Sequence, residues 1–390
     1  MHLANAGPTA LEKSTDMIIA TLKKLNRLAR RTAARASAVR GALSMLRDPV
    51  WSKTRYPGER LKGRARVTAE NLAWAVRHGE ANRFYWLYGL DRLGGPDPSE
   101  YIAYNEFKEI RNRKNRIAGI GAYYSDYTAV LKDKFVFNRI LDSLRFPTPR
   151  LIAVCIDGKM WWFDDPKETG IEDIASRGGV DMYCKTLLGE CADGVYHLTG
   201  GCGVLLCDGE EIDTGRLEEL TSGAFLLQER IEQHHEMSRL YPHSINTIRL
   251  VTIMGDAGPS LFAASIRTGA SGNTRDNWAV GGLSGGIDLE TGRLGRWFDF
   301  KPGYGGRTDT HPDSGVVFGE FTVPMFDAAK RMALGLHSFL YGIQSVGWDM
   351  AITPGGPVFI EGNDNWEITP HQIIDGGLRR RFLEAAGVSP

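Results

Sequence analysis

The sequence predicts an α+β protein with largely antiparallel sheets. Three observations predict it. From about residue 125 the chain turns into short β-rich runs separated by Gly clusters. Helical periodicity is confined to the N-terminal third and a few later stretches. Neither GxGxxG nor GxxxxGK[ST] occurs, so neither the dinucleotide fingerprint nor the P-loop of the parallel α/β folds applies. The composition of the 390 residues, 42 % apolar and 24 % charged, is that of a folded chain with a sizeable core. It excludes a disordered chain, a collagen-like repeat and a disulfide scaffold.

Four regions are expected: a basic helical extension over 1–67, a helical subdomain over 68–125, a small central subdomain over 126–230 and a catalytic subdomain over 231–390. Zero net charge conceals an uneven distribution. Residues 21–67 hold 14 Lys and Arg against Asp48 and Glu59, so this head is basic by 12 and the remainder acidic by 12. Residues 15–47 read as a helix in which Met17, Ile18, Leu22, Leu25, Leu28 and Ala29 alternate with Lys23, Lys24, Arg27, Arg30 and Arg31. Such a helix packs on the body, rests on an anionic membrane face, or serves as a transit peptide. No aromatic-studded basic stripe accompanies it, so nucleic acid is not an expected partner. Residues 68–118 read as helical, with an aromatic seam at 82–88 and a break at Gly94–Pro98.

Five cysteines, Cys155, Cys184, Cys191, Cys202 and Cys207, include no CxxC pair. Zinc and a disulfide framework are therefore not expected, and a reducing cytoplasm fits. Strands are expected at Arg150–Ile156, Trp161–Phe163, Asp181–Lys185, Gly203–Asp208, Ala224–Glu229, Thr247–Met254, Ser260–Arg267, Val346–Thr353 and Pro357–Glu361, and helices at 133–144, 214–221 and 324–342. His234-His235 reads as a surface turn rather than a chelate, because adjacent side chains diverge. Lys301–Arg307 reads as a mobile substrate lid ahead of a phosphate cradle.

The most informative stretch is Val346–Asn363, two β-rich runs around Pro354-Gly355-Gly356. With those three residues as the loop, Thr353 faces Pro357, Ala351 faces Phe359 and Asp349 faces Glu361. Trp348, Met350, Ile352, Val358 and Ile360 then form an apolar opposite face. Like charges directly opposed repel, unless a cation lies between them. The oxygen donors Asp349, Glu361 and Asn363 suit Mg²⁺, with Mn²⁺ as a substitute.

Asp349 followed by Glu361-Gly362-Asn363 resembles the metal-binding end of the ATP-grasp superfamily, in which two subdomains grip ATP and Mg²⁺. Other segments agree in order. Asp133-Lys134 before a helix and Phe146-Pro147-Thr148-Pro149 resembles the segment whose lysine reaches the nucleotide phosphates. Tyr183-Cys184-Lys185, with Gly189 and Asp193-Gly194-Val195, resembles the strand lysine and phosphate loop, although Thr186 stands where Pro usually follows and the loop has few glycines. Phe225-Leu226-Leu227-Gln228-Glu229-Arg230-Ile231 resembles the hinge strand that receives adenine and ribose, which assigns Gln228, Glu229 and Ile231 to the nucleotide. Asn246-Thr247-Ile248-Arg249 resembles the strand whose arginine reaches the γ-phosphate, and Arg267 with Asn277 and Gly281-Gly282 resembles the region beside the transferred group.

Together with Asp276-Asn277-Trp278, Ile287-Asp288, Thr291-Gly292 and Gly347-Trp348-Asp349, these segments are similar to the sugar-transfer-associated ATP-grasp family over residues 80–375. The resemblance implies ATP and Mg²⁺, with Lys134, Lys185, Gln228, Glu229 and Ile231 toward the nucleotide, Asp349, Glu361 and Asn363 toward metal, and Arg249, Arg267 and Asn277 as catalytic residues. It implies an ADP-forming ligase that joins a carboxylate to an amine, or another nucleophile, through an acylphosphate, in cell-surface polysaccharide or natural-product biosynthesis. Two alternatives stay open: a kinase of a sugar or polyol, and a non-catalytic nucleotide-binding module of a membrane-associated assembly. The residues themselves argue for function at two positions. Lys185 ends an apolar strand. Arg249 sits within Ile248-Arg249-Leu250-Val251, where a buried arginine needs an anionic partner.

Overall fold

The computed structural model describes residues 10–389 except 116–118, 121–122, 125–126, 166, 189–193, 202, 221–222 and 341. Side chains are also not described at 10–20, 22–23, 25–28, 119–120, 123–124 and 214. Gly189, Asp193, Cys191 and Cys202 lie outside the described residues.

The chain forms two compact units, Met1–Pro98 and Ser99–Pro390. The first carries α1 (Ala10–Met45) and α2 (Arg64–His78). Small side chains let the two helices approach, with Ala38, Ala42 and Ala75 buried together. The expected boundary at 67/68 falls inside α2, and the expected helix over 68–118 is broken. Gly79, at φ 71°, caps α2, and the 82–88 seam is packed turn rather than helix. Its Tyr85, Trp86, Leu87 and Tyr88 are buried. The Tyr85 hydroxyl donates to Glu70 at 2.6 Å, and Glu70 also pairs with Lys62 at 2.8 Å.

The second unit opens with α3 (Tyr104–Asn115), the short pair β1 (Gly119–Ile120) and β2 (Tyr123–Tyr124), α4 (Ala129–Lys132) and α5 (Lys134–Ser143). Next come β3 (Leu151–Ile156), β4 (Lys159–Trp162), β5 (Glu168–Thr169), α6 (Asp173–Ser176), β6 (Val180–Thr186), β7 (Val195–Gly201), β8 (Val204–Cys207), β9 (Glu210–Ile212), α7 (Thr214–Leu220) and β10 (Phe225–Glu229). The remainder is α8 (His235–Leu240), β11 (Ile248–Gly255), β12 (Gly258–Thr268), β13 (Leu283–Ile287), β14 (Leu294–Phe300), β15 (Arg307–Thr308), α9 (Phe326–Phe339), β16 (Ser345–Thr353), β17 (Gly356–Asn363), α10 (Thr369–Asp375) and α11 (Arg379–Ala385).

Two antiparallel sheets dominate, in the orders β5-β4-β3-β10-β6-β7-β8-β9 and β15-β14-β13-β12-β11-β16-β17. The second sheet positions most of the site. One face carries Ile248, Leu250, Ile266, Phe298, Trp348 and Phe359 into the main core, which also includes residues of α5 and α9. On the other face, Val251, Ile253 and Phe262 pack with residues of α3 and α11 at one end. The other end of that face is polar.

The 354–356 hairpin corrects the expected register. The loop is two residues, because Thr353 pairs with Gly356, and the Thr353 hydroxyl donates to the Gly356 carbonyl at 2.8 Å. Gly356 adopts φ 124°, which suits glycine. Met350 therefore faces Phe359, and Phe359 joins Trp348 in the core with ring centroids 5.5 Å apart. Val358 and Ile360 are only half-buried. A bulge between Asp349 and Met350 absorbs one residue and returns Asp349 to Glu361. Among the described residues no helix is long and apolar enough to cross a membrane.

Candidate active site

Adjacent strands bring one polar row together. Arg249 on β11 pairs in register with Asp349 on β16, and Asp349 with Glu361 on β17. Residues in register share a face, so the three side chains meet. Arg249 grips Asp349 with Nε on Oδ1 and with Nη2 on Oδ2, the latter at 2.6 Å. Arg267 on β12 adds Nη2 to Oδ2 at 2.9 Å. Gly347 makes room for this packing: a Cβ there would lie 2.7 Å from Trp366 Cβ and 3.2 Å from Arg249 Cδ.

Asp349 is 2 % exposed. Burial alone raises a carboxyl pKa, but the Arg249 and Arg267 guanidiniums reverse this and hold Asp349 well below the usual carboxylate range. Burial, then the Asp349 charge beside it, push Glu361 up. Asn363 Nδ2 donates to Glu361 Oε1 at 3.1 Å. The anionic partner that Arg249 requires is thus Asp349. The Arg249 and Arg267 guanidiniums offset the charge that Asp349 presents to Glu361.

Among the described residues no cluster of three His, Cys, Asp or Glu has metal-ligand geometry. The donor set Asp349, Glu361 and Asn363 is nevertheless all oxygen and suits a hard divalent cation. Glu361 and Asn363 fit that role directly. Asp349 fits it only through lone pairs that Arg249 and Arg267 leave over.

The first sheet contributes the lysines. Lys185, near the end of β6, donates Nζ to Gln228 Oε1 on β10 at 2.9 Å. Burial pushes Lys185 down to about 8, against the favourable charge of Glu361 and together with the unfavourable charge of Lys134. Lys185, Lys134 and Glu361 therefore act on one another. Asp133 caps α5 by accepting from Phe135 and Val136 N–H groups, and the Lys134 N–H binds the Leu187 carbonyl at 3.2 Å, which fixes the start of the helix beside the end of β6.

Other expected residues lie differently. Buried Gln228 donates Nε2 to the Pro149 carbonyl at 3.4 Å. Glu229 accepts from the Arg150 N–H at 2.8 Å, and Ile231 follows β10, half-buried. Asn277 caps the turn at Trp278–Val280, its side chain accepting from the Ala279 N–H at 2.8 Å. The residue beside it, Asp276, reaches the strands instead: it accepts from the Thr247 N–H at 2.9 Å and lies 3.9 Å from Arg267 Nε. His234 caps α8 by accepting from the Glu236 N–H. In the 301–307 segment, Lys301 donates to the Ala279 carbonyl at 3.3 Å and Tyr304 lies over Gly281.

His371 on α10 was not among the expected residues. It is 2 % exposed, and its Nδ1 has no partner among the described residues. Burial, with Arg249 and then Arg381 nearby, pushes it down to about 3, so it remains neutral. A lone histidine after Thr369-Pro370 carries no sequence signal, because its setting depends on how α10 lies near β12–β14.

A sequence profile of the sugar-transfer associated ATP-grasp family matches residues 120–386. No curated protein matches the chain. Among solved structures, the chain is similar to D-alanine–D-alanine ligase from Bacillus anthracis complexed with ATP (12 % identity, 67 % of each chain, TM-score 0.38). It is also similar to N5-carboxyaminoimidazole ribonucleotide synthetase from Thermotoga maritima (14 % identity, 68 % of this chain and 49 % of that one, TM-score 0.35). L-amino acid ligase from Bacillus licheniformis is a third (11 % identity, 66 % and 46 %, TM-score 0.37). These likenesses are too distant to transfer a residue role.

Proposed function

The chain belongs to the sugar-transfer associated ATP-grasp family, and on that premise we propose that it is an ATP- and Mg²⁺-dependent ligase joining a carboxylate to an amine and releasing ADP and phosphate. The observation that carries this reading is the electrostatic influence of Glu361, on one sheet, on Lys185 of the other, beside the Arg249–Asp349–Arg267 cluster. Cations and carboxyl oxygens at one place are what a nucleotide polyphosphate with its metal requires.

In this reading a carboxylate oxygen attacks the γ-phosphorus and ADP departs. The amine then attacks the acyl carbon and loses a proton, and phosphate departs with the electron pair of the broken C–O bond and takes up that proton. Lys134, Lys185 and Arg249 offset the phosphate charge, and Arg267 holds the acylphosphate. Gln228 orients Lys185, while Glu229 and Ile231 border the nucleoside. Asn277 shapes the turn beside the transferred group. Magnesium held by Glu361, Asn363 and Asp349 would draw charge from the phosphate oxygens. The test is product analysis. ADP and free phosphate, without AMP, released only when carboxylate and amine are both present, is the expected result. Phosphate retained on a hydroxylated product would make the protein a kinase instead.

Lys185 gives the reading a pH signature. In the ligand-free protein it is partly deprotonated near pH 8. The nucleotide polyanion favours the charged amine, so binding takes up a proton near that pH. Calorimetry in buffers of different ionisation enthalpy should show this uptake, and nucleotide affinity should fall as pH rises through about 8.

We also infer a cytoplasmic protein that meets an anionic membrane face through its head. Residues 29–37 of α1, including Arg30, Arg31 and Arg35, are exposed around the whole helix. Charge reversal of these three arginines to Glu should abolish co-sedimentation with anionic vesicles and leave nucleotide binding intact. Unchanged sedimentation would remove the head from any membrane role.

A further inference from the structure

The polar row does not stop at Arg267. In-register pairing continues it outward from Arg267 on β12 to Ser284 on β13, Asp299 on β14 and Arg307 on β15. Cross-strand partners share a face, so these side chains extend the surface that carries Asp349 and Glu361. The three strands from β12 to β14 span about 10 Å, the length of one sugar ring with its substituents.

Two buried atoms on this row have no hydrogen-bond partner among the described residues: Arg267 Nε, a donor that Asp276 approaches only to 3.9 Å, and Asp299 Oδ1, an acceptor. Ser284, half-buried between them, can donate and accept. A buried polar group without a partner calls for an explanation, and a ligand that completes it is one. Asp299 is 3 % exposed, and its other oxygen already accepts from Arg307 at 2.8 and 3.1 Å. Arg307 therefore offsets the Asp299 charge, which makes Oδ1 an acceptor suited to a neutral hydroxyl more than to an ammonium. The outer margin is aromatic. Tyr304, 55 % exposed, lies over Gly281, and Trp278 Nε1 donates to the Asp299 carbonyl at 2.9 Å.

We propose that Arg267, Ser284 and Asp299 form the binding row for the carboxylate substrate, and that this substrate is a polyhydroxylated carboxylate of hexuronate size. Its carboxylate lies at Arg267, next to the site of phosphoryl transfer, and its hydroxyls lie along Ser284 and Asp299. The inference rests on the ligase reading and adds its substrate class.

The test is thermal stabilisation of the full chain, first by magnesium with a non-hydrolysable ATP analogue, then with added probes. The probes are D-glucuronate and D-galacturonate, with hexanoate lacking the hydroxyls and 6-aminohexanoate replacing them by an ammonium. The uronates should add stabilisation, and the two controls should not. Asp299→Asn should weaken uronate binding about tenfold, the size of one neutral hydrogen bond. Ser284→Ala, which disturbs no ion pair, should weaken it in the same direction. Equal binding of hexanoate or 6-aminohexanoate, no uronate effect, or wild-type uronate binding in both variants would overturn the proposal. Failure of the nucleotide analogue to stabilise the wild type would instead strike the ligase reading beneath it.

Discussion

Lys185→Met is expected to abolish nucleotide binding while making the ligand-free protein more stable. The two effects share one cause. Lys185 carries a charge that burial disfavours, so its pKa falls to about 8 from an ordinary 10.5. Between those values the unfolded chain binds more protons than the folded one, so the lysine's contribution rises with pH across the window and is unfavourable below it. Methionine fills a similar volume without charge. A gain of about 1 kcal/mol in denaturant unfolding at pH 7 is the expected scale for removing strain kept for function. The loss of binding should be far larger, because no neighbouring cation occupies the same place on β6. A variant that loses both stability and binding would make Lys185 a structural residue.

Asp349→Ala carries the second large effect, of opposite sign. Its removal leaves Arg249 and Arg267 facing one another, largely buried and without their shared anion. Breaking a buried pair in this way costs about 3–5 kcal/mol. The same contacts set a pH dependence. Because the folded pKa lies below the ordinary 3.8, the contribution of Asp349 is complete above that value and is lost as pH falls through the folded one. Were Asp349 chiefly a metal ligand repelled by Glu361, the substitution would stabilise the metal-free protein. Urea unfolding in chelator separates the two accounts.

The Asp349–Glu361 pair shows how far the sequence could be read. Period-2 alternation located both strands and the facing of the acids. Two unseen features, a shorter loop and a compensating bulge, cancelled one another. Neither has a strong local signal, because a bulge answers packing demands such as those of Phe359 against Trp348. The need of Arg249 for an anion was legible, but its identity was not, because register between β11 and β16 joins residues 100 apart. Strands β13 and β14 went unread, since Leu-Ser-Gly-Gly-Ile looks like a loop until its neighbours impose extension. Ser284 and Asp299 were invisible for that reason. The resemblance assigns Asn277 a catalytic role; in the structure its side chain caps the turn that follows, while adjacent Asp276 reaches the strands. Adjacent polar residues are interchangeable in a sequence and are told apart by backbone direction alone.

The central claim is a magnesium–nucleotide site spanning Lys185 and Glu361. Thermal unfolding of wild type and Glu361→Gln, each with and without Mg-ATP, tests it most directly. At 100 times its dissociation constant, Mg-ATP should stabilise the wild type by about 2.7 kcal/mol. The account predicts that this shift requires magnesium and disappears in Glu361→Gln. An equal, magnesium-independent shift in both proteins, or none in either, would contradict it.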